Sequence, residues 1–201
     1  MKLYRFPGTR ANRPQWIIEE LGLACEYVDV NVMKGEHRTP GYFEMHPHGL
    51  LPVLEDGDLR VIESAAMVMH LADKHPEGGL APRLGSPERA MYYQYIVYAV
   101  STLDEHVIPI FFHTVLLPAD KRRSDVLERS RPVWGHAAKF LERSLGGRNF
   151  LVGDKFSAAD ICIGYDLMLA QQAGLLEGHE TLKSYVHRLA ERPGFKRAYG
   201  T

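Results

Sequence analysis

The chain has 201 residues, with 24 Lys+Arg against 25 Asp+Glu for a formal charge of −1, and is 45% hydrophobic, 24% charged and 10% aromatic. Those proportions belong to an ordinary globular protein of one large or two small domains, and exclude a disordered tail, a collagen and a low-complexity array. The balanced charge argues against a dedicated nucleic-acid binder, and no apolar run reaches bilayer length, Val107–Phe112 being short and broken by Pro109.

The opening Met1–Pro7 has no apolar signal core, so a cytoplasmic protein is expected. Cys25 and Cys162 are far apart and lack neighbouring Cys or His. They read as small buried hydrophobes in a reducing compartment, with no metal site and no dithiol chemistry.

Lys2–Phe6 alternates polar and apolar residues and predicts a strand, followed by a loop over Pro7–Asn12. Arg13–Leu23 predicts a helix. Trp16, Ile17, Glu20 and Leu21 recur at helical spacing, Pro14 occupies the first turn, where a missing N–H costs nothing, and Gly22 ends it. Glu26–Val32 predicts a second strand, and Thr39–His46 a short helix opened by Pro40. Pro52–Glu55 and Leu59–Ile62, joined by Asp56-Gly57-Asp58, predict a hairpin. Ala65–His75 is then helical, with Ala65, Val68, Met69 and Ala72 on one face. The order is βαβαββα, so the first crossover demands a parallel pair and the hairpin adds an antiparallel one.

Pro76–Pro87 is rich in proline and glycine and reads as a linker. Glu88–Leu117, Ala119–Leu145, Ser157–Ala173 and Thr181–Arg192 all carry helical periodicity, and no strand signal follows Ile62. Pro109 and Pro132 are expected to end or bend their helices. The chain thus divides into an α/β domain over residues 1–76, a linker over 77–87 and an all-helical domain over 88–201. Within the latter, Ser157 and Asp160 form an N-cap pattern stapled by Phe156 and Ile161, a signal for folding rather than chemistry.

Chemistry is concentrated in three loops. Thr9 precedes a helix N-terminus, where free N–H groups and the dipole favour an anion; its hydroxyl either caps the turn or donates to a thiolate, alkoxide or phosphate. Pro52 is either an edge residue or the second half of a cis peptide that turns the Leu51 N–H and C=O toward an extended ligand. Ser64, after Glu63, either caps its helix or binds. In a sheet of this topology the three loops converge at one end, where ligands of α/β sheets dock. His46 and His48, flanking Pro47, make at best a weak chelate.

Phe6-Pro7-Gly8-Thr9 with Asn12-Arg13, then Glu19–Leu23, Lys34–Pro40, His46–Gly57, Ile62–Ala65 and Phe156–Ile161 resemble, in order and spacing, the cytosolic glutathione S-transferases. The likeness covers essentially the whole chain and points to the bacterial serine/threonine type with a phi/delta-like N-terminal pattern. It implies a thioredoxin-like N-terminal domain (βαβαββα), an all-α C-terminal domain and usually a homodimer. It also implies glutathione as co-substrate, with no metal, nucleic acid or membrane.

Position by position, the resemblance puts Thr9 where a serine activates the thiol, and Phe6, without a hydroxyl, near the tyrosine of other classes. The lack of a loop cysteine disfavours the thiol-transfer branch. Leu51, before a cis-type Pro52, is expected to pair its backbone with the cysteinyl part. Glu63 and Ser64 match residues that hold the γ-glutamyl carboxylate and amine, and His37 and Arg38 those that reach the glycyl carboxylate. Two residues depart from the pattern. Threonine in place of serine stiffens χ1 and crowds the sulfur, and Leu50 stands where Gln or Lys is common.

A free thiol of pKa about 8.5 is only about 3% thiolate at pH 7, and a shift of about two units needs roughly 2.7 kcal/mol. A hydrogen bond to an anion supplies about 1.5–3 kcal/mol and a helix N-terminus about 0.3–1 kcal/mol, so no metal or side-chain base is required. Thr9 is thus expected to donate to the glutathione thiolate, which attacks a small hydrophobic electrophile. That electrophile is expected between the domains, against Tyr95, Tyr98 and Phe112, from a helically spaced set that includes Met91, Thr102 and Phe111. Core or dimer packing is the alternative for each of these, and Asp104 and Glu105 read as an exposed acidic face. The alternative functions are a non-catalytic binding or regulatory protein on the same fold, or a glutathione-dependent isomerase or dehalogenase.

Overall fold

A computed structural model describes residues 1–200 of the chain. They fall into two units, Met1–Ala81 together with residues 192–200, and Pro82–Glu191.

The first unit is built on strands β1 (Lys2–Arg5), β2 (Glu26–Asp29), β3 (Val53–Asp56) and β4 (Leu59–Ile62), in sheet order β2-β1-β3-β4. β1 and β2 are parallel, because helix α1 (Asn12–Leu21) crosses between them, while β1–β3 and β3–β4 are antiparallel. α1 ends where Gly22 takes φ +63, a left-handed conformation cheap only for glycine. A one-turn helix α2 (Pro40–Phe43) opens on Pro40, and α3 (Ser64–Lys74) follows the hairpin. Leu3, Trp16, Ile17, Ile18, Leu54, Met67, Val68 and Leu71 are fully buried, and on the other face of the sheet Val53 packs with Val30 and Tyr42. The second strand is shorter than its β-branched run, because Asn31 accepts from the Met33 and Lys34 amides and turns Val32–Lys34 into a 3₁₀ turn. Cys162 is buried as expected, but Cys25 is only half-buried.

The hairpin is tied to α3 by charge. Lys74 Nζ donates to Asp56 Oδ2 at 2.5 Å, and His70 Nε2 lies 2.8 Å from the same oxygen. Lys74 and His70 hold the Asp56 carboxyl below its usual range. A carboxyl so lowered contributes stability above its unfolded pKa and loses it as pH falls through the folded value. Asp56→Asn should therefore lower the urea midpoint at about pH 7, with an effect that shrinks below about pH 4. Unfolding curves at the two pH values check it.

Residues 192–200, which the periodicity assigns to the helical domain, group instead with the first unit. They carry an additional helix, α9 (Pro193–Tyr199), whose Phe195 and Tyr199 rings pack edge-on to Trp16 at 5.0 and 6.1 Å. Glu20 accepts from Trp16 Nε1 (2.8 Å) and twice from Arg192 (2.9 Å each). A Cβ on Gly194 would lie 2.5 Å from the Glu20 carboxyl carbon, so a side chain there would push the Glu20 carboxylate off its Trp16 and Arg192 partners.

The second unit is helical. α4 (Pro87–Tyr98) runs through a wide turn at Ala99–Leu103 into α5 (Asp104–Phe111) and a second wide turn at Phe112–Leu116. α6 (Ser124–Leu145), α7 (Ala158–Gln172) and α8 (Glu180–Ala190) follow. The prolines end neither helix: α6 runs through Pro132, and the α5 run continues past Pro109. The carbonyls that lose a donor to these prolines belong to Glu105 and Glu128, both exposed residues.

Nearly all of α7 is buried, and its start forms the expected capping box. Asp160 Oδ2 accepts from the Ser157 amide (2.8 Å) and hydroxyl (3.0 Å), and Oδ1 from the Leu151 amide (3.0 Å) and Tyr185 hydroxyl (2.6 Å). Burial pushes this carboxyl up, and the four donors pull against it.

Candidate functional site

The register decides where the loops meet. Tyr4 pairs with Val53 and Val53 with Ile62, so the loop after β1, the one before β3 and the one after β4 leave the sheet at the same end. The segment after parallel β2 leaves there too, Arg5 pairing with Asp29. Thr9, His37, Arg38, Leu51, Pro52, Glu63 and Ser64 are thereby all carried by loops at one end of one sheet.

In the first loop, Gly8, at φ +78, donates its N–H to Asn12 Oδ1 at 3.2 Å, closing the turn. Thr9 is half-buried; its Oγ1 donates to the Phe6 carbonyl at 2.6 Å and accepts from the Ala11 amide at 3.3 Å. The helix mouth is more committed than the sequence suggests. The Asn12 amide bonds Thr9 O at 3.0 Å, the Arg13 amide bonds Arg10 O at 3.2 Å, and Pro14 has no N–H to offer. The Thr9 hydroxyl, whose oxygen accepts from Ala11, is free to donate elsewhere only by giving up Phe6 O.

The Leu51–Pro52 bond is cis. Pro52 is buried, and among the described residues no partner is recorded for the Leu51 N–H or C=O. Leu50 points an exposed side chain outward, while its carbonyl accepts from Tyr42 Oη at 2.9 Å.

Glu63 adopts φ +71, ψ +111, a region that costs a non-glycine residue energy and that concentrates at functional sites. It is exposed and occupies the N-cap of α3 without a side-chain capping bond. Ser64 is consequently the first helical residue rather than the cap. Its buried Oγ accepts from Arg13 Nη1 at 3.4 Å.

His37 keeps a buried Nδ1 without a protein partner, and Arg38 Nη1 donates to His48 O at 3.2 Å. His46 Nδ1 is engaged as acceptor of the His48 amide (3.2 Å), and burial lowers the His46 pKa. Among the described residues, no group of three His, Cys, Asp or Glu side chains is placed to hold a metal, and no helix is long and apolar enough to cross a membrane.

In the second unit, Tyr95 is only 2% exposed and packs toward Phe140, so it is a core residue rather than a ligand surface. Tyr98 is half-buried against Phe140, and Phe112 is 45% exposed. Asp104 is buried at 5%, contrary to an exposed acidic face, whereas Glu105 is exposed.

Residues 1–73 match the family model described as "Glutathione S-transferase, N-terminal domain", and residues 103–193 the model of the C-terminal domain. Glutathione S-transferase 4 of Zea mays is 30% identical over 182 residues, covering 88% of this chain and 81% of that protein. The chain belongs to the glutathione S-transferase family. Glutathione S-transferase F13 of Arabidopsis thaliana is 28% identical over 189 residues, covering 89% of this chain and 84% of the relative. Among solved structures, a ternary complex of the bacterial GST BphK matches with a TM-score of 0.88 at 27% identity, over 100% of this chain and 98% of that one. The transferase fold thus accounts for both units, the mixed four-stranded sheet and the helical bundle.

Arg13 and Asn12 are the residues of this loop system whose local function sequence reasoning missed. Both carry the family resemblance, but nothing in their spacing shows which partners they find across the unit.

Proposed function

We propose that the protein is a glutathione transferase that holds glutathione as a thiolate and adds it to a small hydrophobic electrophile. The observation that supports this most directly is the shared sheet end. It offers a backbone N–H and C=O at Leu51 that pair with nothing among the described residues, the geometry an extended cysteinyl residue pairs with, between the Thr9 turn and the Glu63–Ser64 helix start. Glu63 attracts the γ-glutamyl amine, and the Ser64 hydroxyl serves its carboxylate. His37 and Arg38 reach the glycyl carboxylate, and Thr9 Oγ1 faces the sulfur. The working form is a cytoplasmic homodimer acting in detoxification, with glutathione as co-substrate of the electrophile.

Switching the Thr9 hydroxyl from Phe6 O to a thiolate exchanges a neutral bond worth about 1 kcal/mol for a charged one of about 1.5–3 kcal/mol. The net gain of about 0.5–2 kcal/mol lowers the thiol pKa by about one unit.

Calorimetry with glutathione, followed by assay against an aryl chloride activated by nitro groups, tests the reading. Binding with turnover is expected. No heat of binding would remove the glutathione site, and binding without turnover across several electrophile classes would leave a non-catalytic binder.

A further inference from the structure

A guanidinium stands directly behind one of the site's hydroxyls. Arg13, the second residue of α1, is 0% exposed, and its Nη1 donates to Ser64 Oγ across 51 residues of sequence. Arginine carries donors only, so in this contact Ser64 Oγ is the acceptor and its own proton is left to point elsewhere. Ser64 Oγ caps no amide of α3, and among the described residues it accepts from Arg13. At 3.4 Å the contact is at the outer limit of a hydrogen bond, so the arginine acts through its fixed charge as much as through geometry. The Arg13 backbone also belongs to the Thr9 turn, its amide bonding Arg10 O at 3.2 Å. One side chain therefore links the turn that faces the sulfur to the helix start that faces the other end of the tripeptide.

We propose that Arg13 is a positioning residue for glutathione: by donating to Ser64 Oγ it orients the Ser64 hydroxyl as a donor to the γ-glutamyl carboxylate. A hydroxyl whose oxygen already accepts from a cation is polarised and makes a stronger donor to an anion. The site then selects the carboxylate, not merely a chain of that length. This rests on the glutathione reading above, and the experiment separates the two.

Affinities are measured for glutathione and for 4-aminobutyryl-cysteinyl-glycine, which keeps the amine and lacks only that carboxylate. The unaltered protein should prefer glutathione by at least tenfold. Arg13→Met should weaken glutathione about tenfold and leave the analogue unchanged, with Arg13→Lys losing less, since a hydrogen bond to a charged group is worth about that factor. In a Ser64→Ala background, Arg13→Met should cost nothing further. Equal losses for both tripeptides, or additive effects with Ser64→Ala, would overturn the proposal and make Arg13 a purely structural residue.

If the Arg13 variants do not fold, guanidinium NMR resonances of the unaltered protein serve instead. They should move on adding glutathione and stay fixed with the analogue; equal or absent movement overturns the proposal. If the unaltered protein binds both tripeptides alike, the glutathione reading stands and only this proposal fails. If it binds neither, both fail.

Discussion

Thr9→Val moves the midpoint of the pH–rate profile for glutathione conjugation upward by about one unit, the shift that a net 0.5–2 kcal/mol of thiolate stabilisation produces. At about pH 7 the thiolate fraction then falls by up to about tenfold. The more basic thiolate left behind is intrinsically more nucleophilic, with a Brønsted slope of about 0.4–0.5, which recovers roughly 2.5-fold. The net loss of turnover at neutral pH is thus about fourfold, and at high pH, where both thiols are fully ionised, the profiles cross and the variant is faster by about 2.5-fold. Thr9→Ser keeps the hydroxyl and should keep the original midpoint. A direct titration of the bound thiol by its ultraviolet absorbance, set beside the rate profile, makes the measurement independent of the rate-limiting step. An unchanged midpoint in Thr9→Val would mean that the hydroxyl stays on the Phe6 carbonyl, 2.6 Å away, and only caps the turn.

Asp160→Ala should destabilise the helical unit by about 4 kcal/mol, among the largest effects a single substitution has. The carboxylate is fully buried and takes four hydrogen bonds, from two amides and two hydroxyls. Each buried donor left without an acceptor costs about 1–3 kcal/mol, less than additively once water enters the space. Asp160→Asn keeps the volume but turns an NH₂ on at least one donor, so its cost should be intermediate. Tyr185→Phe removes one of the four donors and leaves Asp160 Oδ1 bonded to the Leu151 amide, and should cost about 1 kcal/mol. Urea unfolding should rank the three Ala, Asn, Phe from most to least damaging. Glutathione affinity should be unchanged in all three while the protein remains folded, since none of these groups belongs to the sheet-end loops. Equal midpoints for Asp160→Ala and the unaltered chain would show that the network carries no stability.

The two substitutions probe different distances in sequence. The capping box is local, Ser157 and Asp160 being three residues apart, and so it is readable from the pattern alone. The same is true of the β-strand alternation, the Pro40 helix start, the Gly22 stop and the Asp56-Gly57-Asp58 hairpin turn. In each case the signal lies within one turn or one strand pair, where backbone sterics and nearest-neighbour hydrogen bonds dominate. Whether a proline such as Pro109 or Pro132 ends its helix depends on the packing around it, and both helical runs continue past theirs, a property of the folded unit.

What the amino-acid order alone determined is the succession of elements, the division into an α/β and a helical unit, and the three loops that carry the site's polar residues. What only the tertiary structure decided is where long-range partners fall. The register put the Thr9, Leu51 and Glu63 loops at one sheet end, and Glu20, Arg192 and Gly194 brought α9 back onto α1 instead of leaving it with the other helices. Arg13 was placed under Ser64, the Thr9 hydroxyl on Phe6 O, and Tyr95 in the core instead of at a surface. The physical reason is the same throughout. Periodicity records which face of an element is buried, but the partner of a buried polar atom is chosen by the packing of segments far apart in the chain, and no local pattern encodes that distance.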